Sequence, residues 1–222
     1  MSIAQNIQKL QSQLPQGVKL VAVSKFHPVE RLLEAYNVGQ RIFGENRAQE
    51  LAAKAPQLPT DIEWHFIGHL QKNKARMIMP WVSTIQSIDS VELLQLVNKE
   101  AARINRHVNV LLQLHVAKEQ TKSGFTVDEV LKAADDGSFA SLSNVTIAGV
   151  MAMATFTDDM NQVASEFELA HDTFLTLRDK HFTDSPTFNE ISMGMSDDWS
   201  IAVEHGATLV RIGTDIFGPR EY

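Results

Sequence analysis

The 222-residue chain contains no cysteine. This absence excludes disulfide bonds, thiolate metal sites, cysteine-ligated iron–sulfur clusters and a cysteine nucleophile. Positive charge is also scarce, because 20 lysines and arginines stand against 27 aspartates and glutamates, which gives a net charge of −7. A chain with this balance lacks the concentrated basic surface that sequence-independent nucleic-acid binding requires. We therefore expect a protein that does not bind nucleic acid.

Long apolar runs are absent as well. No stretch approaches the roughly 18 uninterrupted apolar residues that a membrane span needs. Residues 1–14 carry apolar side chains at helical spacing rather than the unbroken apolar core of a signal peptide. The content of 44% hydrophobic and 21% charged residues is ordinary for a globular protein. We expect a cytoplasmic protein that forms a single domain over residues 1–222 and does not associate with membranes.

Eight short β-rich runs alternate with segments of helical spacing. The runs occupy residues 18–25, 41–46, 64–68, 84–89, 108–116, 145–153, 187–194 and 208–213. The first, fifth and sixth runs are nearly continuous in apolar residues, which is typical of parallel strands covered on both faces. A doubly wound open sheet is the alternative, but eight units without a linker favour closure. The pattern predicts an α/β fold, a (β/α)₈ TIM barrel with an additional N-terminal helix.

Several helix boundaries are marked in the sequence. Pro28 suits the first position of a helix that ends at Gly39. Thr126 and Glu129 have the spacing of a capping box. The segment 158–180 is the longest with helical periodicity. These signals place helices between the predicted strands, and only the last strand has no helix predicted after it.

Lys25 is the first candidate for chemistry, because functional groups of a TIM barrel lie at the carboxyl ends of its strands. It follows the apolar run of the first strand, so we expect its amine to lie beside apolar walls at the barrel mouth. Desolvation there would lower the lysine pKa. A neutral amine attacks an aldehyde to form a Schiff base. The alternative is a lysine that extends past the strand end into solvent.

The ends of the last two strands suggest a phosphate site, which barrels of this class often place between these loops. Gly194 allows a tight turn, and we expect Ser196 to cap a helix beginning near position 197. Gly213 and Thr214 add an amide and a hydroxyl. The two aspartates after Ser196 would repel phosphate unless they point away. An ordinary capped helix and a glycine turn remain the alternative.

Arg211 and two histidines are further candidates. Arg211 lies two residues before Gly213, so both can face the barrel interior, where a guanidinium needs a carboxylate or a ligand as partner. His65 and His69 would need a helix to share a metal ion, yet the third strand runs through this segment. We therefore expect no metal site and interpret His65 as a polar residue near the mouth. Lys118, Glu119 and Lys122 are interpreted as an exposed charged loop.

Residues 64–78, WHFIGHLQKNKARMI, resemble the signature segment of the pyridoxal phosphate homeostasis proteins, also called proline-synthase-co-transcribed-like proteins. The similarity extends from Val18 to Arg220, nearly the whole chain. One departure is His115, where the family commonly has asparagine. The other matching segments are VAVSK (21–25), FGENRAQE (43–50), the spacing of Glu119, Lys122 and Gly124, SMGMSDD (192–198) and VRIGTDIFGPR (210–220).

The resemblance implies a barrel related to the N-terminal domain of alanine racemase, with pyridoxal 5′-phosphate (PLP) bound as a Schiff base to Lys25. It implies that the phosphate is held by Ser196 and the Gly213–Thr214 turn, and that Arg211 lies near the pyridine nitrogen. The remaining cofactor-binding residues it implies are Asn46 and His65 on the other side of the ring, and Met195 beside Ser196.

The same resemblance implies a role in cofactor supply. A cationic arginine at the pyridine nitrogen disfavours ring protonation, which weakens the ring as an electron sink. In alanine racemase a second domain across a dimer supplies one proton-transfer group, whereas this sequence ends at Tyr222. We therefore expect a monomeric carrier without catalytic residues, which serves vitamin B6 homeostasis and passes PLP transiently to apo-enzymes. The alternatives are a weak PLP-dependent amino-acid racemase and a cofactor-independent enzyme acting on a phosphorylated metabolite.

Overall fold

The computed structural model describes residues 2–117 and 123–218. Within them, eight parallel strands pair in chain order, and the eighth pairs back with the first to close a barrel. The predicted α/β TIM barrel is thereby confirmed. The strands are β1 (Lys19–Val23), β2 (Ile42–Glu45), β3 (Glu63–Phe66), β4 (Val82–Ile88), β5 (Val108–Leu114), β6 (Val145–Ala152), β7 (Glu190–Ser192) and β8 (Leu209–Ile212).

Helices surround the barrel, and α1 precedes the first strand as predicted. They are α1 (Ile3–Gln13), α2 (Val29–Asn37), α3 (Ala48–Lys54), α4 (Ala75–Ile78), α5 (Val91–Arg103), α6 (Val127–Asp135), α7 (Met160–His181), α8 (Trp199–Glu204) and α9 (Thr214–Phe217). Among the described residues, no helix combines the length and the apolar character that crossing a membrane requires.

The helix ends agree with most of the capping signals. Thr126 and Glu129 form the predicted capping box at the start of α6. Pro28 is the N-cap of α2 rather than its first helical residue, so the predicted helix start was one position too early. The eighth strand is also followed by a helix, because Thr214 begins a single turn that the sequence pattern did not predict.

Apolar side chains form two clusters, one on each face of the closed sheet. The larger cluster fills the layer between strands and helices and includes Ile7, Leu51 and Phe167, each fully buried. Burying such a side chain stabilises the fold by about 1.5–3 kcal/mol. The smaller cluster lies inside the barrel and consists of Val21, Leu111, Ala148, Met151 and Leu209. Since this inner cluster is small, room remains inside the barrel for polar residues.

Candidate functional site

A cavity of about 440 Å³ opens at the carboxyl ends of the strands, and we call it the mouth cavity. Its volume lies within the range of about 300–1,000 Å³ that is typical of small-molecule sites. Seven of the eight predicted cofactor-binding residues line it together: Lys25, Asn46, Met195, Ser196, Arg211, Gly213 and Thr214. The topology explains this convergence, because every one of these residues lies at or after the carboxyl end of its strand.

His65 is the eighth predicted residue, and the structure places it elsewhere. Its ring lines a second cavity of about 230 Å³, among residues such as Lys19, Glu63 and Asn109 that begin their strands. We call this space at the opposite end of the barrel the base cavity. Burial lowers the pKa of His65 to about 3, with a smaller contribution from the charge of Lys19, so the ring is neutral at physiological pH. His65 is therefore not brought together with the other seven.

A chain of hydrogen bonds nevertheless connects His65 to the mouth cavity through the barrel interior. The Arg211 Nη1 donates to the Ser192 hydroxyl at 2.7 Å, and this hydroxyl donates to Oε1 of Gln86 at 2.6 Å. Nε2 of Gln86 then lies 2.7 Å from Nδ1 of His65. Gln86 and Ser192 are buried, so neither exchanges these partners with solvent. We call these four residues the axial chain.

Arg211 forms the mouth end of the axial chain. Its second terminal nitrogen, Nη2, donates to the carbonyl oxygen of Ala152 at 2.9 Å. Burial lowers its pKa to about 10, while the negative charge of Asp198 opposes this shift. The guanidinium is thus cationic at neutral pH, fixed at two nitrogens, and exposed to the mouth cavity. Such an arginine favours a neutral or anionic partner group over a cationic one.

Glycines allow the loops around the mouth cavity to approach closely. A Cβ atom on Gly213 would lie 3.0 Å from the carbonyl oxygen of Val23, so the loops after β1 and β8 could not keep their separation. Gly194 has φ +93° and lies where a Cβ would be 2.7 Å from that of Ala202. Gly194 has the turn role that the sequence suggested, whereas the close backbone approach at Gly213 is an additional finding of the structure.

The loop after β7 differs from the prediction in one respect. Ser196 does not cap a helix, because residues 196–198 form a turn and α8 begins at Trp199 with Asp198 as its N-cap. Oδ1 of Asp198 accepts a hydrogen bond from the Met195 amide at 2.6 Å, which turns this carboxylate toward its own loop. Burial raises the Asp198 pKa, against the effects of the Met195 amide and Arg211. Asp197, by contrast, lines the mouth cavity.

Sequence reasoning missed Gln113, which lines the mouth cavity from β5 and donates through Nε2 to the Ser123 carbonyl oxygen at 2.7 Å. It also missed Gln86 and Ser192 of the axial chain. The available signal was the same in each case, a polar residue within a short strand that is otherwise buried. His115, two residues after Gln113, does not line the mouth cavity, so the departure from the family pattern lies outside this lining.

The expected lack of a metal site stays a prediction. Across residues 2–117 and 123–218, no three histidine, aspartate or glutamate side chains form a group suited to a metal ion.

His69 lines the mouth cavity, and its Nδ1 lies 3.1 Å from a carboxylate oxygen of Asp89. Lys118, Glu119 and Lys122, the predicted charged loop, lie outside the described residues.

Asn46 gives a direct indication that the mouth cavity suits a polar ligand. Its Oδ1 is buried and has no hydrogen-bond partner among the described residues. A buried acceptor without a partner costs about 1–3 kcal/mol, so a donor on a bound molecule would recover that energy. Together with cationic Arg211 and the hydroxyls of Ser196 and Thr214, this acceptor suits a small polar ligand that carries both donors and acceptors.

Comparisons with known proteins agree on one family. A family model described as the alanine racemase N-terminal domain matches residues 1–221. The pyridoxal phosphate homeostasis protein of Vibrio alginolyticus is 38% identical over 236 residues, covering 100% of this chain and 99% of the relative. The human protein of the same name is 38% identical, over 92% of this chain and 77% of its own length.

Solved structures give the same result. PipY of Synechococcus elongatus, solved with PLP bound, is 36% identical with a TM-score of 0.88, covering 98% of this chain and 100% of PipY. Alanine racemase of Clostridium difficile is 14% identical with a TM-score of 0.76, and the match spans 100% of this chain but 57% of the racemase, so this likeness shows the fold alone. On the family model and the curated relatives, the chain belongs to the pyridoxal phosphate homeostasis protein family.

Proposed function

We propose that this protein binds PLP in the mouth cavity, holds it as a Schiff base on Lys25, and acts in vitamin B6 homeostasis by keeping and delivering the cofactor. PLP supplies a reactive aldehyde, which condenses with a neutral lysine amine by forming a C=N bond and releasing water. The observation that carries the proposal is the joint lining of one cavity by Lys25 and the residues expected to hold the phosphate.

In this proposal, different residues bind different parts of PLP. Ser196, Thr214 and the backbone at Gly213 offer hydroxyl and amide donors to the phosphate. Arg211 is assigned to the pyridine nitrogen, where its fixed positive charge opposes ring protonation. The unpartnered Oδ1 of Asn46 is an acceptor for a polar group on the ring. In our proposal, the PLP-bound structure of PipY supports the same cofactor for this chain.

The proposed role is binding and delivery rather than turnover. Arg211 is buried and protonated, so an electron-withdrawing pyridinium next to it is disfavoured, and carbanion formation at a bound amino acid receives little help. The relatives are named as homeostasis proteins, which agrees with a non-enzymatic role. Apo-enzymes that need PLP are the proposed transient partners.

Visible absorbance of the purified protein with added PLP tests the proposal. We expect an absorbance band of a lysine-bound Schiff base in the wild type and its loss in Lys25→Ala. Lys99→Ala, which changes an exposed lysine on α5, is the matched control and should keep the band. Borohydride reduction followed by mass measurement should place one PLP on Lys25. A wild type without band or mass increment would contradict the proposal and favour a cofactor-independent enzyme.

Slow amino-acid racemisation is the second candidate, and His69 is the observation that favours it. Its ring lines the mouth cavity and pairs with Asp89, so a group able to accept a proton stands at the site. Exchange of the α-proton of L-amino acids in deuterated water measures this activity. Exchange faster than with free PLP, and lost in His69→Gln, would establish turnover; the carrier proposal expects no such exchange.

We also propose that the chain is one cofactor-binding domain over residues 1–222 and acts as a cytoplasmic monomer. The support is that all eight strands close a single barrel, with α1 joined to it by a hydrogen bond from Asn6 to the Ile216 carbonyl oxygen at 3.0 Å. Sedimentation equilibrium should give the monomer mass of 24.8 kDa. A dimer mass at micromolar concentration would contradict the monomeric part.

A further inference from the structure

An ion cluster of two buried residues and one half-buried residue lies directly behind the loop that carries Lys25. It consists of Lys54, the last residue of α3, with Glu50 on the same helix and Glu45 at the end of β2. The Lys54 Nζ donates to Glu45 Oε1 at 2.8 Å and to Glu50 Oε2 at 2.9 Å. It also donates to the carbonyl oxygen of Ser24 at 3.0 Å. We call these three residues the bracket.

The bracket contacts the two peptide groups on either side of Lys25. On one side, the Ser24 carbonyl oxygen accepts from Lys54. On the other side, the Phe26 amide donates to Glu50 Oε2 at 2.8 Å. The orientations of these two peptide planes determine φ and ψ of the residue between them, and so the direction of its Cα–Cβ bond. The Ser24 hydroxyl adds a bond of 2.7 Å to Glu45.

The backbone at Phe26 explains why such bonds are needed. Phe26 has φ +68°, in the left-handed region that bulky side chains rarely adopt. Conformations of this kind persist only where surrounding contacts fix them, and they concentrate at functional sites. The Phe26 ring also lies under the guanidinium of Arg47, at 4.5 Å from ring centroid to Cζ.

The two carboxylates of the bracket have pKa values shifted in opposite directions. Burial raises the pKa of Glu45, although Lys54 and Ser24 work against this shift. At Glu50 burial also acts to raise the pKa, but the bonds from the Phe26 amide and Lys54 outweigh it and hold the pKa below its usual range. Glu50 is therefore ionised at neutral pH and a strong acceptor for the Phe26 amide.

We infer that Glu50 and Lys54 are positioning residues for Lys25, which set the direction of its amine toward the mouth cavity. This inference rests on the proposed function, since it concerns how fast Lys25 captures the PLP aldehyde. Neither residue is among those lining the mouth cavity, so both act through the backbone on either side of Lys25.

The test compares covalent capture with non-covalent binding. Capture is the rate at which PLP becomes attached to Lys25, measured by borohydride quenching and mass. Non-covalent binding is the affinity for deoxypyridoxine 5′-phosphate, an analogue without the aldehyde. In Glu50→Ala we expect capture at least about tenfold slower, because misplacing a reacting group by an ångström costs this much or more. Analogue affinity should change by less than about twofold.

Three further variants make the result decisive. Glu50→Gln keeps an oxygen that can accept from Phe26 and should restore most of the capture rate. Lys54→Met should slow capture as Glu50→Ala does. Val97→Ala removes two methyl groups from a fully buried position in the middle of α5 that does not line the mouth cavity, and should lower stability while leaving capture unchanged. Equal losses of capture and analogue affinity, or wild-type capture in Glu50→Ala, would overturn the inference. A wild type that binds neither ligand would instead overturn the proposed function.

Discussion

The hydroxyl of Ser192 accepts from the guanidinium of Arg211 and donates to the side-chain oxygen of Gln86. The direction is fixed by chemistry, because arginine can only donate and a hydroxyl has one proton to give. The Gln86 amide must then present its NH₂ group to His65, whose Nδ1 acts as acceptor. The donor and the acceptor of every hydrogen bond in the axial chain are therefore determined, from His65 in the base cavity to the cationic Arg211 at the mouth.

Replacing Ser192 by alanine should destabilise the protein by about 1–3 kcal/mol, the usual cost of leaving buried polar groups unpaired. Arg211 loses one acceptor and Gln86 loses its donor, so PLP affinity should fall as well. The free energy of unfolding in urea measures the first effect. Ser87→Ala is a matched control, because the buried Ser87 hydroxyl has no partner among the described residues. Equal unfolding free energies for the two variants would contradict the prediction.

The pH dependence of stability should reveal His65. Its folded pKa of about 3 lies below the ordinary value of 6.5, so below pH 6.5 the unfolded state binds a proton that the folded state does not. This group therefore contributes full stability above pH 6.5 and loses it as pH falls toward 3, at up to about 1.4 kcal/mol per pH unit. At pH 6.5 we expect wild type to have the higher free energy of unfolding. Its advantage over His65→Gln should shrink between pH 6.5 and pH 4.5, by up to about 1.4 kcal/mol for each pH unit.

Other ionisable groups also make the stability of each protein depend on pH, and taking the difference between wild type and variant removes the contribution that both proteins share. Glu45 and Asp198, whose pKa values burial raises, and Glu50, whose pKa is lowered, are present in both proteins. Parallel stability curves for wild type and His65→Gln would mean that the ring takes up a proton as readily in the folded state as in the unfolded state, and would contradict a buried neutral His65 that accepts from Gln86.

The barrel and most of the mouth could be predicted from the sequence because both depend on local order along the chain. Apolar runs at regular spacing determine the strands, and the residue that follows each strand is placed at the mouth by topology alone. Lys25 and Asn46 line the mouth cavity for this reason, and Arg211 lines it from one residue before the end of β8. Whether these residues bind the cofactor stays a prediction until a ligand is measured.

Side-chain direction within a strand could not be predicted in the same way. His65 lies one residue before the end of β3, and its ring lines the base cavity rather than the mouth. The bracket could not be predicted from the sequence either, because Lys54 has the position of an ordinary basic residue in the last turn of a helix. Only the packing of α3 against β2 and β3 shows that Lys54 is buried and bonded to Ser24.

Asp197 should weaken phosphate binding, because its carboxylate lines the mouth cavity beside Ser196 and Thr214. Asp197→Asn removes that charge, so affinity for PLP and for inorganic phosphate should rise about 1.4- to 5-fold, as expected for an exposed charge worth about 0.2–1 kcal/mol. Isothermal titration at low salt measures the change, and the gain should shrink at high salt. Asp172→Asn, an exposed change on α7, should leave both affinities unaltered.

Gly68 should be needed for the position of Asn46. A Cβ atom there would lie 2.3 Å from the Asn46 carbonyl oxygen and 2.8 Å from its Cα, so Gly68→Ala must push the loop after β2 away. We expect a loss of about 1–3 kcal/mol in stability and at least tenfold weaker PLP binding. Gly137→Ala is the control, since φ is +77° there and no atom lies within 4 Å of its Cβ position. That variant should lose stability through backbone strain alone and keep its PLP affinity; weakened binding in both would show that general destabilisation, not the displacement of Asn46, is responsible.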